Sequence, residues 1–139
     1  LVIAGDNLLD FSLGDFVKYA KEKNAPCVMR YFEGSRAKLQ KCGVIEVNGD
    51  DKILSMEEKP QEPKSSWCTP PFYYYTRESL GLIKEAVEEG CPTDAPGSLV
   101  AWLCKKTDVF AMQMNGSRYD IGNIESYEKV QKEYKGIRG

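Results

Sequence analysis

Leu1-Val2-Ile3-Ala4-Gly5-Asp6-Asn7, then Ser12-Leu13-Gly14-Asp15-Phe16-Val17, then Cys27-Val28-Met29-Arg30-Tyr31-Phe32, is the stretch on which the fold turns. Leu1 to Ala4 is an uninterrupted apolar run, the form of a strand buried on both faces. Gly5-Asp6-Asn7 at its carboxyl end would deliver a carboxylate to a crevice. Ser12 and Asp15 suit a helix start, and Leu13, Phe16, Val17 and Ala20 recur along one helical face that should end near Asn24. Residues 27–32 read as a second, mostly apolar strand. A strand-helix-strand unit of this kind favours a parallel sheet with flanking helices, so the expected class is α/β. A doubly buried strand needs neighbours, and none precedes Leu1, so the chain is expected to begin inside a domain.

Further along, Gly43 to Val47 and Lys52 to Glu57 flank Asn48-Gly49-Asp50-Asp51, turn residues that suit a hairpin because Gly and Asn tolerate positive φ. Glu58-Lys59-Pro60 closes it, and residues 61–66 form a polar, proline-bearing loop, the one segment expected to be flexible. Phe72 to Tyr75 reads as a short aromatic strand. Thr76 then caps a helix with Leu80, Ile83 and Val87 on its inward face and a stop at Gly90. After the loop 93–97 a helix should turn Leu99, Val100, Leu103 and Cys104 inward, and Val109 to Met114 should be a strand. Tyr119-Asp120-Ile121-Gly122-Asn123 is expected to be a turn into a last helix with Ile124, Tyr127, Val130 and Tyr134 along one face.

The 139 residues are 42% hydrophobic and 29% charged, the balance of one globular domain spanning 1–139. A formal charge of -2, without runs of like charge, leaves no electrostatic footprint for nucleic acid or an anionic membrane. No apolar stretch approaches the roughly 20 residues of a membrane span. Histidine is absent, which excludes imidazole bases and imidazole metal ligands. The cysteines at 27, 42, 68, 91 and 104 are odd in number and lack a Cys-x-x-Cys pair, so free thiols in a reducing cytoplasm are expected.

Three short groups could carry chemistry: Gly5-Asp6-Asn7, Glu57-Glu58-Lys59-Pro60 and Tyr119-Asp120-Ile121-Gly122. Each alone also has a plain structural reading, as a helix entry, a solvated strand end or an Asx turn. In their order and separation they resemble the nucleotidyltransferases that make nucleotide sugars, over roughly Leu1 to Lys135. The resemblance implies a Rossmann-like sheet with flanking helices, and a catalytic set of Asp6, Lys59 and Asp120. Asp6 and Asp120 would be the aspartates that bind Mg2+, and Glu58, Lys59 and Gly43 would contact the sugar and its phosphate. Thr69, just before Pro70-Pro71, is a further substrate-binding candidate. The loop Glu62 to Ser66 is also similar to the family's loop after that lysine.

The implied substrates are a sugar-1-phosphate and a nucleoside triphosphate, and a homo-oligomer fits the family. Pro70-Pro71 stands where many relatives have Thr-Gly, Arg118-Tyr119 where the motif has Trp-x, and Asn123 in place of a threonine. The family's N-terminal glycine-rich loop, which grips the triphosphate, has no counterpart, so the chain is expected to be the C-terminal, sugar-phosphate part with little activity of its own. Two other readings stay open: a non-catalytic sugar-phosphate-binding module, and a structural fragment whose exposed first strand drives self-association.

Overall fold

The computed structural model describes residues 1–138. In chain order the elements are strands β1 (Val2–Ile3) and β2 (Asn7–Leu9), helix α1 (Gly14–Lys23), β3 (Cys27–Phe32), α2 (Arg36–Leu39), β4 (Gly43–Val47) and β5 (Ile53–Glu58). They continue with β6 (Trp67–Thr69), β7 (Phe72–Tyr74), α3 (Arg77–Gly81), α4 (Ile83–Glu88), α5 (Pro96–Leu103), β8 (Phe110–Gln113), β9 (Arg118–Asp120) and α6 (Ile124–Glu133).

The α/β expectation holds, but the sheet is mostly antiparallel. On one edge β3 carries β8 in parallel, from Cys27↔Phe110 to Arg30↔Gln113. On its other edge lie β6 and β7, both antiparallel to it. β1 and β3 do run the same way, as the strand-helix-strand unit requires, yet β7 is inserted between them and is antiparallel to both.

Residues 67–74 are one strand interrupted by Pro70-Pro71. The register against β3 jumps by two residues between Cys68↔Tyr31 and Tyr73↔Val28, which is the length of the proline pair. Neither proline has an N–H to give to a ladder, so pairing must stop there. Before the break β6 takes β4 as its second neighbour, and after it β7 takes β1. The sheet therefore divides at the prolines, and the gap between its two branches becomes a cavity.

Strand alternation sorts β3 between two cores. Val28 packs under α5 with Ile45, Ile53, Val100, Leu103 and Val109, while Cys27 and Met29 pack under α1 with Phe11, Phe16, Ala20 and Phe72. Helix α1 ends as expected, with Asn24 in the left-handed region at φ 49°. The β4–β5 hairpin also forms, but its positive φ falls on Asp51 at 64°, where Asn48 Oδ1 accepts the N–H groups of Asp50 and Lys52. The loop expected to be flexible is tied down by Arg36 to Glu62 at 2.8 Å, Lys64 to Glu57 at 3.2 Å, and the Ser65 hydroxyl to the Ile45 carbonyl.

Other expectations fail for identifiable reasons. β1 is not buried on both faces: Leu1, Val2 and Ile3 are about half exposed, because among the described residues only β7 pairs with it. The helix after Thr76 is two short helices meeting at Leu82, and it buries Ser79 and Ala86. Leu80, Ile83 and Val87 are exposed and border an apolar groove with Val2 and Tyr75. In α6 only Val130 is buried, and Ile124 and Tyr127 face out. Residues 118–120 are a strand, not a turn, pairing with β2.

The cysteine expectation also needs correction. Cys42 and Cys68 are joined in a disulfide with Cα atoms 6.3 Å apart, and Cys27, Cys91 and Cys104 are free. Val44 lies opposite Cys68 across the β4–β6 ladder, so the residue two before Val44 is brought alongside it. A cross-strand pairing of this kind leaves no spacing signature in the sequence. No helix among the described residues is long and apolar enough to cross a membrane.

Candidate functional site

Two short strands from opposite ends of the chain bring the two predicted acids together. β2 and β9 form an antiparallel ribbon in which Asn7 lies opposite Asp120, a position where Cα atoms are about 5 Å apart. The Ile121 N–H donates to the Asp6 carbonyl at 2.8 Å, so Asp6 and Asp120 sit at the same end of the ribbon. Its other end is held by Asp10, a buried acid whose Oδ1 accepts the Ser117 N–H at 2.6 Å.

The ribbon end is wired by polar side chains. Arg118 Nη1 donates to Asn7 Oδ1 at 2.5 Å and to Asp120 Oδ2 at 3.3 Å, and Asn7 Nδ2 donates to Asp6 Oδ1 at 2.7 Å.

The second predicted group arrives on β5. Glu58 is the last residue of that strand, and Lys59 has a left-handed backbone at φ 49°, its N–H donating to the Cys42 carbonyl at 3.0 Å. Alternation would point Glu58 and Lys59 to opposite faces. The left-handed Lys59, just before Pro60, turns both side chains toward one cavity. Glu57, in regular strand geometry, points away and pairs with Lys64.

Gly43 starts β4 opposite both Glu58 and Thr69. A methyl group there would come within 2.6 Å of the Thr69 hydroxyl, 2.9 Å of the Met56 methyl and 3.2 Å of Glu58 Oε2, so a larger residue would have to push these side chains aside. Thr69 lines the cavity but is nearly buried, and its hydroxyl donates to the Gly43 carbonyl at 3.4 Å.

All six predicted residues, Asp6, Gly43, Glu58, Lys59, Thr69 and Asp120, border one cavity of about 390 Å³ at the division of the sheet. Residues the sequence reading missed complete it: Tyr31, Lys41, Tyr73, Asp94, Gly97 and Arg118. Gly97 is in the first turn of α5, and a methyl group on it would fall 1.8 Å from Glu58 Oε2. The Glu58 carboxylate is thus packed directly against the Gly97 backbone. Burial pushes the Glu58 carboxyl above its ordinary range, Lys59 pulls it down, and Asp94 adds a smaller push upward. Burial and the nearby Glu58 push the Tyr73 phenol up to about 12. A larger groove of about 710 Å³ lies beyond Glu58, but none of the other five predicted residues borders it.

The donor set at the ribbon suits a hard divalent cation. It consists of two exposed aspartates, with no third acid, cysteine or histidine clustered with them among the described residues. Mg2+ commonly takes one or two carboxylates and fills its octahedron with phosphate oxygens and waters. The same cavity is bordered by the cationic Lys59 and Lys41 and by the carboxylates of Glu58 and Asp94, which can accept hydrogen bonds.

Comparison with known proteins fits this geometry. The family model described as nucleotidyl transferase matches residues 1–136. A glucose-1-phosphate adenylyltransferase of Clostridium novyi (strain NT) is 27% identical over 129 residues, covering 91% of this chain and 34% of the relative. A UDP-glucose pyrophosphorylase solved in complex with UDP-glucose superposes with a TM-score of 0.75 at 23% identity, over 96% of this chain and 54% of that one. An apo UDP-glucose pyrophosphorylase gives a TM-score of 0.79 at 22% identity, over 96% of this chain and 52% of that one. The chain spans about a third of the length of the curated relatives it matches.

Proposed function

The chain belongs to the nucleotidyl transferase family and has its Rossmann-like fold, and from that premise we propose that it forms the sugar-phosphate side of an active site joining a sugar-1-phosphate to a nucleoside triphosphate. The products are a nucleoside-diphosphate sugar and pyrophosphate. A phosphate oxygen of the sugar-1-phosphate attacks the α-phosphorus in line, with no covalent enzyme intermediate. The protein's task is then to position two polyanions and neutralise the charge that builds between them.

The observation that carries this reading is the convergence of residues 6, 43, 58–59 and 120 on one cavity. Lys59 acts as a point charge on the sugar phosphate, and Glu58 accepts hydrogen bonds from sugar hydroxyls beside the bare Gly43 and Gly97 backbones. Asp94, on the same cavity, offers a second acceptor. Asp6 and Asp120 would hold Mg2+, which when bound supplies charge neutralisation for the phosphates. A cytoplasmic setting goes with this function, and there the Cys42–Cys68 bond meets a reducing pool.

Turnover belongs, on this proposal, to a protein that also contains a triphosphate-gripping segment. In such a protein, pyrophosphate release from glucose-1-phosphate and a nucleoside triphosphate should require Mg2+, and Asp6→Ala or Asp120→Ala should abolish it. Retained Mg2+-dependent turnover in either variant refutes the assigned roles. The 139-residue chain alone should bind the sugar phosphate without releasing pyrophosphate.

A further inference from the structure

Arg118 has no part in the roles assigned so far, yet it belongs to the hydrogen-bonded chain that links the two aspartates. Its guanidinium reaches Asp120 directly and Asp6 by way of Asn7, and it lies 5.7 Å from the centre of the Tyr31 ring. Its side chain is 18% exposed, against 59% for Asp120, so the cation is the inner member of the pair and the carboxylate the outer one. Guanidinium groups stay charged at any working pH and present several donors at once. A fixed positive charge in contact with a metal carboxylate must oppose a divalent ion there, and equally must attract a phosphate arriving in the same cavity.

We propose that Arg118 is a phosphate-binding residue that stands in for the divalent cation when the site is empty. With no cation present, it neutralises Asp120 and holds Asn7 and Asp6 in register. When a cation arrives, the guanidinium gives up Asp120 and its freed N–H groups turn toward the sugar phosphate, beside Lys59. Metal entry is therefore an exchange of partners, and the sugar phosphate, by drawing Arg118 away, favours it. The inference rests on the reading of Asp6 and Asp120 as metal carboxylates.

The test uses the 139-residue chain with two probes: Mn2+, followed through its free-ion paramagnetic resonance signal, and glucose-1-phosphate, titrated calorimetrically at saturating Mg2+. Arg118→Met keeps the reach and removes the charge, and Arg118→Gln serves as a second neutral variant should the first fail to fold. Arg118→Lys keeps the charge but loses the fork. The neutral variant should bind Mn2+ about tenfold more tightly and glucose-1-phosphate about tenfold more weakly, with the lysine variant close to wild type in both. A merely structural role would weaken both ligands together or leave both unchanged, and either result overturns the proposal. If the wild-type chain binds Mn2+ and the neutral variant binds it no more tightly, the inference alone fails. If neither binds Mn2+, the metal reading of the aspartates fails and the inference falls with it.

Discussion

Gly97→Ala isolates the contact that seats the Glu58 carboxylate. The added methyl would lie 1.8 Å from Glu58 Oε2 and 2.9 Å from Glu58 Cδ, so the carboxylate must retreat by about 1.5 Å to reach ordinary contact. The obstacle is the far end of a flexible side chain, and Gly97 has no positive φ that would strain an alanine. Overpacking costs about 1–3 kcal/mol, whereas replacing a helical glycine by alanine returns up to about 1 kcal/mol, and a swing of Glu58 relieves most of the clash. Stability should therefore change by no more than about 1 kcal/mol.

Ligand binding should suffer far more. Loss of the hydrogen bonds of one charged group is worth about 1.5–3 kcal/mol, a weakening of about 10- to 150-fold for glucose-1-phosphate. Calorimetric titration of the folded variant, alongside urea unfolding, separates the two effects. Adding Glu58→Asp, which shortens the side chain by one methylene, should recover part of the affinity. Unchanged sugar-phosphate affinity in a folded Gly97→Ala chain would refute the assignment of Glu58 to the sugar.

Two further outcomes follow from the same geometry. The Glu58 carboxyl is raised in the folded state, so the folded protein holds more of its proton than the unfolded chain does between the ordinary value of 4.5 and the raised one. Its contribution to stability is therefore present in acid and declines as pH rises through that window. The melting temperature of wild type relative to Glu58→Gln should fall over that range and then level off; a constant difference would show that the carboxyl is not held in its raised state. The Cys42–Cys68 bond closes a loop with a sequence separation of 26, for which chain entropy gives about 3.5 kcal/mol, so dithiothreitol should lower the urea midpoint accordingly. An unchanged midpoint, with reduction verified by thiol counting, would contradict that figure.

Local signals in the sequence were enough for the elements whose partners are near in the chain. Helix α1 with its Asn24 end, the β4–β5 hairpin and the Glu58-Lys59 pair all form within a few residues of where their patterns place them. Periodicity established that Leu80, Ile83 and Val87 share a face, but which way that face turns depends on what packs against it, and in this fold it borders an open groove. The ribbon that unites Asp6 and Asp120 was invisible as structure because each strand has three residues, too few to show a period, and their partners are 113 positions apart at Asn7 and Asp120.

The likeness of the motifs to a family stood in for that missing contact. It brought in Asp6, Gly43, Glu58, Lys59 and Asp120, but not Asp94, Gly97 or Arg118. Asp94 and Gly97 read as an ordinary entry into a helix, and Arg118 only as a departure from a tryptophan. Backbone conformation was the other hidden variable. No residue pattern marks Lys59 as left-handed, although that turn is what aims Glu58 and Lys59 at the same ligand.

The most direct test of the account is the 31P relaxation of glucose-1-phosphate in the presence of Mn2+ and the 139-residue chain, because it reads the distance from metal to phosphate on the protein. Strong chain-dependent enhancement is expected, with loss of the enhancement in the Asp6→Asn, Asp120→Asn double variant and reduced occupancy in Lys59→Met. Enhancement that survives the double variant, or none in the wild-type chain, would contradict a shared metal and sugar-phosphate site.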